Sequence, residues 1–242
     1  MDFKIKDVAE LLNVSQTTVR RWLNAGEIPA YKIQGQYRFS RIEIENWVLR
    51  HKLGKEAGSS PFASNQNTLP SKKQPSSNKG SQKFSLFRAL HKGDVFHEVP
   101  GHSKEEVIRK STKLLSAQHN VDPDLIADLL IDRENLQPTA LNNGLAIPHT
   151  REFTLNEHHD VLAVVFPKQE VAYGALDTKP VHTLFFLFAG SDKRHLHLLA
   201  KIAHLSGENS AFKTLLAKRP DKETLLKFVK EWESQIQDPE EE

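Results

Sequence analysis

No cysteine occurs among the 242 residues. That excludes a disulfide framework, a cysteine-ligated zinc or iron–sulfur site and a thiol nucleophile, and it fits a reducing cytoplasm. Long apolar runs are missing as well. The most continuous one, Leu184 to Ala189, falls far short of the ~20 residues that span a bilayer. The opening MDFKIKDVAELL mixes acids and bases where a signal peptide would be apolar. A soluble, cytoplasmic protein without membrane insertion is expected. Hydrophobic residues make up 38% of the chain, a little low for one compact globule, which points to a part without a core.

What is present is unevenly charged. Residues 1–53 hold nine Lys/Arg against six Asp/Glu, residues 54–83 five against one, and residues 84–242 nineteen against twenty-four. A basic front joined to an acidic back suggests a polyanion-binding module attached to something else. Between them lies GKEAGSSPFASNQNTLPSKKQPSSNKGSQK, in which only Ala57, Phe62, Ala63 and Leu69 are apolar. Too little surface can be buried there to offset the entropy of ordering. The stretch reads as a flexible basic linker whose ends lie on the order of 30 Å apart. Two domains follow from this: 1–52 and 84–236, joined by a linker at 53–83 and ending in an acidic tail at 237–242.

In the first domain, IKDVAELLN places Val8, Leu11 and Leu12 on one helical face, with the small Ala9 beside them. VSQTTVRRWLNAGEIPA then offers Ser15 as an N-cap, Val19, Trp22 and Leu23 as an inward face, and Gly26 as a stop. Two short helices joined by a tight turn read as helix-turn-helix. Gln16, Thr17, Arg20, Arg21 and Asn24 face outward from the second helix, the right residue types for base-edge and phosphate contacts. Tyr31–Ile33 and Tyr37–Phe39 pair as strands around QGQ. Ser40-Arg41-Ile42-Glu43 is a capping box for a third helix through Ile44, Trp47 and Val48. This order, with DVAELLNVSQTTVRRWLNAGEIPA and YRFSRIEIENWV, closely resembles the excisionase-like, MerR-type winged helix-turn-helix over almost all of residues 1–52. The resemblance implies DNA binding through the second helix, with the hairpin as a wing that brings Lys32, Gln34 and Arg38 near the backbone. A module of this size binds weakly alone, so a homodimer or added contacts from the basic linker are expected. Some such units bind proteins instead.

The second domain alternates helices and strands. Ser103-Lys104-Glu105-Glu106 caps a helix through Val107, Ile108, Leu114 and Leu115. Asp122-Pro123 caps the next, with Leu125, Ile126, Leu129 and Leu130 inside. VLAVVF and VHTLFFLFAG are buried strands separated by a turn or hairpin at YGALDTKP. Asp192 opens a helix through His195, Leu196, Leu199 and Ala203, and two more helices follow. The expected fold class is two domains: a small, mostly α winged helix-turn-helix and an α/β (α+β) layered domain with a mixed sheet flanked by helices.

NNGLAIPHTRE, residues 142–152, ends an apolar run in a proline and then a histidine. A histidine there is either an ordinary surface residue or the chemistry itself. Pro148 forces Ile147 into an extended conformation, fixing the approach of His149 at a strand end. DRENLQPTALNNGLAIPH, YGALDTKPVHTLFFLFAG and HLHLLAKIAHLS together resemble the fructose/mannitol/nitrogen-type enzyme IIA domain (EIIA type 2) of the bacterial phosphotransferase system. The resemblance spans most of residues 84–236. It implies that His149 accepts a phosphoryl group from the phosphocarrier protein HPr, that His195 helps stabilise the transferring group, and that Arg133 supports the site. Thr150 departs from the small residue the family often has next to the histidine. No cofactor is implied. A metal held by His195, His197 and His204 finds no completing carboxylate.

The expected function is therefore a phosphotransferase-linked DNA-binding regulator. The alternatives are a sugar-uptake phosphocarrier that hands phosphate to a separate EIIB, and an excisionase-like architectural DNA binder. Phosphorylation is expected to draw the acidic domain toward the basic linker and toward Arg20 and Arg21, favouring a closed form and lowering DNA affinity.

Overall fold

The computed structural model describes residues 2–12, 14–51, 84–119, 121–150, 159–175 and 177–235. The expected linker at 53–83 and the acidic tail lie outside the described residues. The N-terminal unit runs β1 (Asp2–Phe3), α1 (Ile5–Leu12), α2 (Gln16–Asn24), β2 (Tyr31–Ile33), β3 (Gln36–Ser40) and α3 (Arg41–His51). Ser15 caps α2 by accepting from the Thr18 N–H at 3.1 Å, as its small hydroxyl side chain suggests. Gly26 ends the helix at φ +66°, a left-handed conformation that suits glycine. The hairpin turn is shorter than QGQ: Gln36 pairs with Ile33, leaving Gln34 and Gly35 at φ 49° and 77°. Positive φ at both centres is the hairpin geometry whose twist matches the strands. β3 sits between β1 and β2 in a three-stranded antiparallel sheet.

The C-terminal unit runs α4 (Ser85–Lys92), β4 (Val95–Val99), α5 (Lys104–His119), α6 (Pro123–Leu136), β5 (Ala140–Leu141), β6 (Leu145–Ala146), β7 (Val161–Pro167), β8 (Thr183–Phe188), α7 (Asp192–Glu208), α8 (Ser210–Ala217) and α9 (Lys222–Gln235). Its five-stranded sheet has the order β4-β7-β8-β6-β5. It is mixed: β4 and β7 are parallel, β7 and β8 antiparallel, β6 and β8 parallel. Every residue of β7 and β8 is buried, as expected of central strands covered on both faces. Leu130, Ile108 and Ile126 of α5 and α6 pack on one face with Phe186 and Val165. Leu90, Leu199, Phe212 and Val229 of α4, α7, α8 and α9 pack on the other with Val164 and Leu187. One inward assignment fails: Leu125 is 57% exposed, and Leu114 on the preceding helix is exposed as well, at 41%. α5 and α6 pack against each other as well as on the sheet, and that rotation brings Thr112 and Ala127 inward instead.

The Asn142-Asn143-Gly144 loop joins β5 to β6, with Leu141 opposite Leu145. Gly144 is at φ +74° and its carbonyl accepts the His182 N–H at 2.8 Å. A Cβ there would meet His182 Cδ2 at 2.4 Å, so the residue is fixed both by dihedral and by close approach. β6 then runs beside β8 into Pro148 and His149, and the Pro148 carbonyl accepts the Leu187 N–H at 3.0 Å. No helix among the described residues is long and apolar enough to cross a membrane.

Candidate functional site

His149 stands at the end of the β6 segment, bridged to Leu187 of β8, and is fully buried. Its Nδ1 lies 2.7 Å from the Ile147 carbonyl. A carbonyl only accepts, so Nδ1 carries a proton, and in the neutral ring the lone pair is the one on Nε2. A relay fixes this geometry from below. The buried Glu134 carboxylate accepts the Thr139 N–H at 3.1 Å and the Thr139 hydroxyl at 2.6 Å. The Thr139 carbonyl in turn accepts the Ile147 N–H at 3.1 Å. Burial pushes the Glu134 carboxyl up to about 7, against the opposing pull of Thr139, Lys104 and Arg133.

His195 sits in the first turn of α7, which Ser191 caps through the Arg194 N–H. Its ring centre is 5.0 Å from that of His149, tilted by 55°. Burial, foremost, brings His195 down to about 3; His149, Arg41 and Arg133 push the same way, and only Glu45 opposes them. It is neutral at pH 7. Arg133, near the C-terminal end of α6, is buried, and donates to the Gln137 carbonyl at 3.0 Å and to Asn46 Oδ1 at 3.3 Å. Thr150 is buried beside the histidine. The three residues expected from the sequence thus converge.

A fourth residue joins them that the sequence did not announce. Glu45 of α3 is fully buried, with Oε2 at 4.0 Å from His149 Nε2 and Oε1 at 3.8 Å from His195 Nε2. Arg41, one turn earlier, donates to Oε1 from Nε at 2.8 Å. The only hint in the chain is a second stripe on α3: Arg41, Glu45 and Leu49 lie four apart on a face different from Ile44, Trp47 and Val48. Glu45, His149 and His195 bring ligand atoms within 4.8 Å of one another. Two imidazoles and a carboxylate are zinc-type donors, a different set from His195, His197 and His204.

On the N-terminal unit, Gln16, Thr17, Arg20, Arg21 and Asn24 are exposed along α2, and Lys32 and Gln34 are exposed on the hairpin. Arg38 is half-buried, donating to the Tyr37 carbonyl at 3.0 Å and to Gln36 Oε1 at 2.9 Å. Lys32 lies over the Tyr37 ring at 4.8 Å. The candidate DNA contacts therefore form one helix face and one wing, all exposed except the half-buried Arg38.

Comparison with known proteins agrees with this layout. Residues 3–52 match the model of a helix-turn-helix domain. A nitrogen regulatory protein of Escherichia coli is 30% identical over 144 residues, 58% of this chain and 86% of that protein. Its counterpart in Pseudomonas aeruginosa is 31% identical over 147 residues, 60% of this chain and 94% of that protein. The mannitol-specific phosphotransferase enzyme IIA component of Staphylococcus aureus is 36% identical over 115 residues, 46% of this chain and 74% of that one. The crystal structure of nitrogen regulatory protein IIA-Ntr from Neisseria meningitidis superposes with a TM-score of 0.51 at 24% identity, covering 60% of this chain and 98% of that one, a likeness of fold. With the sheet, the paired histidines and a family model matching residues 88–232, the chain belongs to the phosphoenolpyruvate-dependent sugar phosphotransferase system EIIA 2 family, here carrying an N-terminal helix-turn-helix domain.

Proposed function

We propose that this chain is a cytoplasmic DNA-binding regulator linked to the phosphotransferase system. Residues 84–236 accept a phosphoryl group on His149 from phospho-HPr, residues 1–52 bind DNA, and 53–83 connect them. The observation that supports this reading is the His149–His195 pair, with ring centres 5.0 Å apart and the His149 lone pair left on Nε2 by the Ile147 hydrogen bond. In transfer, that lone pair forms the new N–P bond while the N–P bond of the donor phosphohistidine breaks, its electron pair returning to the donor ring. The proton of His149 stays on Nδ1, donated to the Ile147 carbonyl, so the phosphoryl group moves without an obligatory proton transfer. Phosphoryl transfer asks mainly for positioning and for donors around the equatorial oxygens. Neutral His195 offers one N–H, Arg133 a guanidinium, and the first turn of α7 its amide groups and positive partial charge.

The nitrogen regulatory relatives favour regulation over transport. The mannitol-specific relative supports a second reading, a phosphocarrier that passes phosphate to a separate EIIB, in which the helix-turn-helix has no task. Incubation with phosphoenolpyruvate, enzyme I and HPr tests the reading: label is expected on the wild type and none on His149→Ala. Label that persists on His149→Ala would refute the assignment. Onward transfer to an EIIB component would favour the phosphocarrier, and phosphorylation-dependent DNA binding the regulator.

A further inference from the structure

The histidine face is covered, and the cover is the chain's own N-terminal unit. α1 and α3 lie against α7, and the apolar cores of the two units are continuous, from Val8, Leu12 and Leu49 to Leu196, Leu198 and Leu199. Polar tethers surround this contact. Arg41 pairs with Asp192 at the start of α7, Lys193 Nζ pairs with Glu10 at 2.8 Å, and Arg133 donates to Asn46. At the centre, the Glu45 carboxylate reaches toward the Nε2 atoms of both histidines. Arg20 and Arg21 take no part: they are exposed on α2. Closure was expected only on phosphorylation and through Arg20, Arg21 and the linker; here the unphosphorylated chain is closed, and through α1 and α3.

We propose that residues 2–51 dock on the phosphoacceptor face as an internal substitute for the phosphoryl group, so that docking and phosphorylation of His149 exclude each other. This rests on the phosphoacceptor reading above. The Glu45 carboxylate is an anion placed where a phosphoryl group on Nε2 would project. The 4.0 Å between Oε2 and Nε2 leaves no room for phosphorus and its three oxygens. A phosphate dianion beside a buried carboxylate is also repelled by it. The same groups serve either occupant: Arg133 holds Asn46 in the docked state and is released to face phosphate when α3 leaves. Access follows the same rule, since a phosphocarrier cannot bring its histidine to a fully buried Nε2. Phosphorylation therefore captures the open form and detaches residues 2–51 from the histidine face, the reverse of phosphate-induced closure.

The absence of cysteine allows a direct test in the full chain. Because the Glu45, His149 and His195 set is a candidate zinc site, the protein is first stripped with EDTA and exchanged into EDTA-free buffer with magnesium; Glu10→Cys and Lys193→Cys then replace one tether and are joined by a short bis-maleimide. Labelling by phosphoenolpyruvate, enzyme I and HPr is expected to fall at least tenfold in the joined protein relative to the unjoined double variant. Glu45→Ala is expected to label at least fivefold faster than wild type. A fluorophore pair on Ala25→Cys and Lys110→Cys, both exposed positions, is expected to lose transfer efficiency on phosphorylation. Equal labelling of joined and unjoined protein would overturn the exclusion and leave the phosphoacceptor reading standing. No label on any variant, with HPr shown active on another IIA domain, would overturn both.

Discussion

Acidification is expected to open the closed form, because burial holds His195 neutral there. Its value of about 3 lies below the ordinary ~6.5 of an imidazole. The sign follows from proton binding. Between those two values the open form binds a proton on His195 and the closed form does not. Docking is therefore fully favoured above pH 6.5 and loses ground as pH falls. The groups facing the ring are Glu45 on α3, which opposes the shift, and His149, Arg41 and Arg133, which reinforce it. For a ring that returns to ~6.5 on opening, the closed form weakens by about 1.4 kcal/mol at pH 5.5, roughly tenfold in the closing equilibrium, and by about twice that at pH 4.5. The Ala25/Lys110 fluorophore pair reads this directly, titrated from pH 7.5 to 5.0 at constant ionic strength. His195→Gln, which cannot titrate, should flatten the profile. A closing equilibrium that strengthens on acidification, or an opening that survives in His195→Gln, would refute the reasoning.

Three further outcomes are expected. His195→Ala slows labelling without abolishing it, since it removes a donor and leaves the acceptor; single-turnover rates from phospho-HPr measure this, and a rate equal to wild type would transfer the role elsewhere. Glu134→Ala leaves the Thr139 N–H and hydroxyl without their buried acceptor, which costs about 1–3 kcal/mol in urea unfolding; it should also slow labelling by loosening the segment under His149. Arg20→Ala with Arg21→Ala should weaken DNA binding and flatten its salt dependence through lost phosphate contacts, with Arg38→Ala acting similarly; unchanged isotherms would make the N-terminal unit a protein-binding module.

The sequence was most informative where a feature is local. Ser15, Ser103 and Asp122 cap the helices they were expected to cap, because a cap needs only residues a few positions away. The strands at VLAVVF and TLFFLF were legible from composition, and their antiparallel pairing follows from the intervening turn. Leu125 misled because it sits where a helical stripe can be drawn in two ways, and only the packing of α5 on α6 decides between them. The short α4 and β4 lacked a long period and escaped notice. At the site, His149, His195 and Arg133 were reached through resemblance, and the Glu134–Thr139–Ile147 relay was not, since it depends on backbone carbonyls that carry no sequence signature. Glu45 was beyond reach for a deeper reason. A charged residue on a helix reads as solvated or as an i,i+4 pair unless its other partners are known, and the two histidines lie more than one hundred residues away.

Helix α3 has two buried sides with separate duties. Ile44, Trp47 and Val48 close the core of its own unit, while Arg41 and Glu45 face the histidines. Substitutions on the second side leave the first intact, so the strength of the latch can drift over generations without unfolding either half. Under the proposed exclusion, one codon, at position 45, would set how readily the receiver listens. A descendant with glutamine or alanine there would keep its fold and its reading helix but respond to a fainter phosphate signal, and a lineage could tune its threshold this way while its DNA target stayed the same.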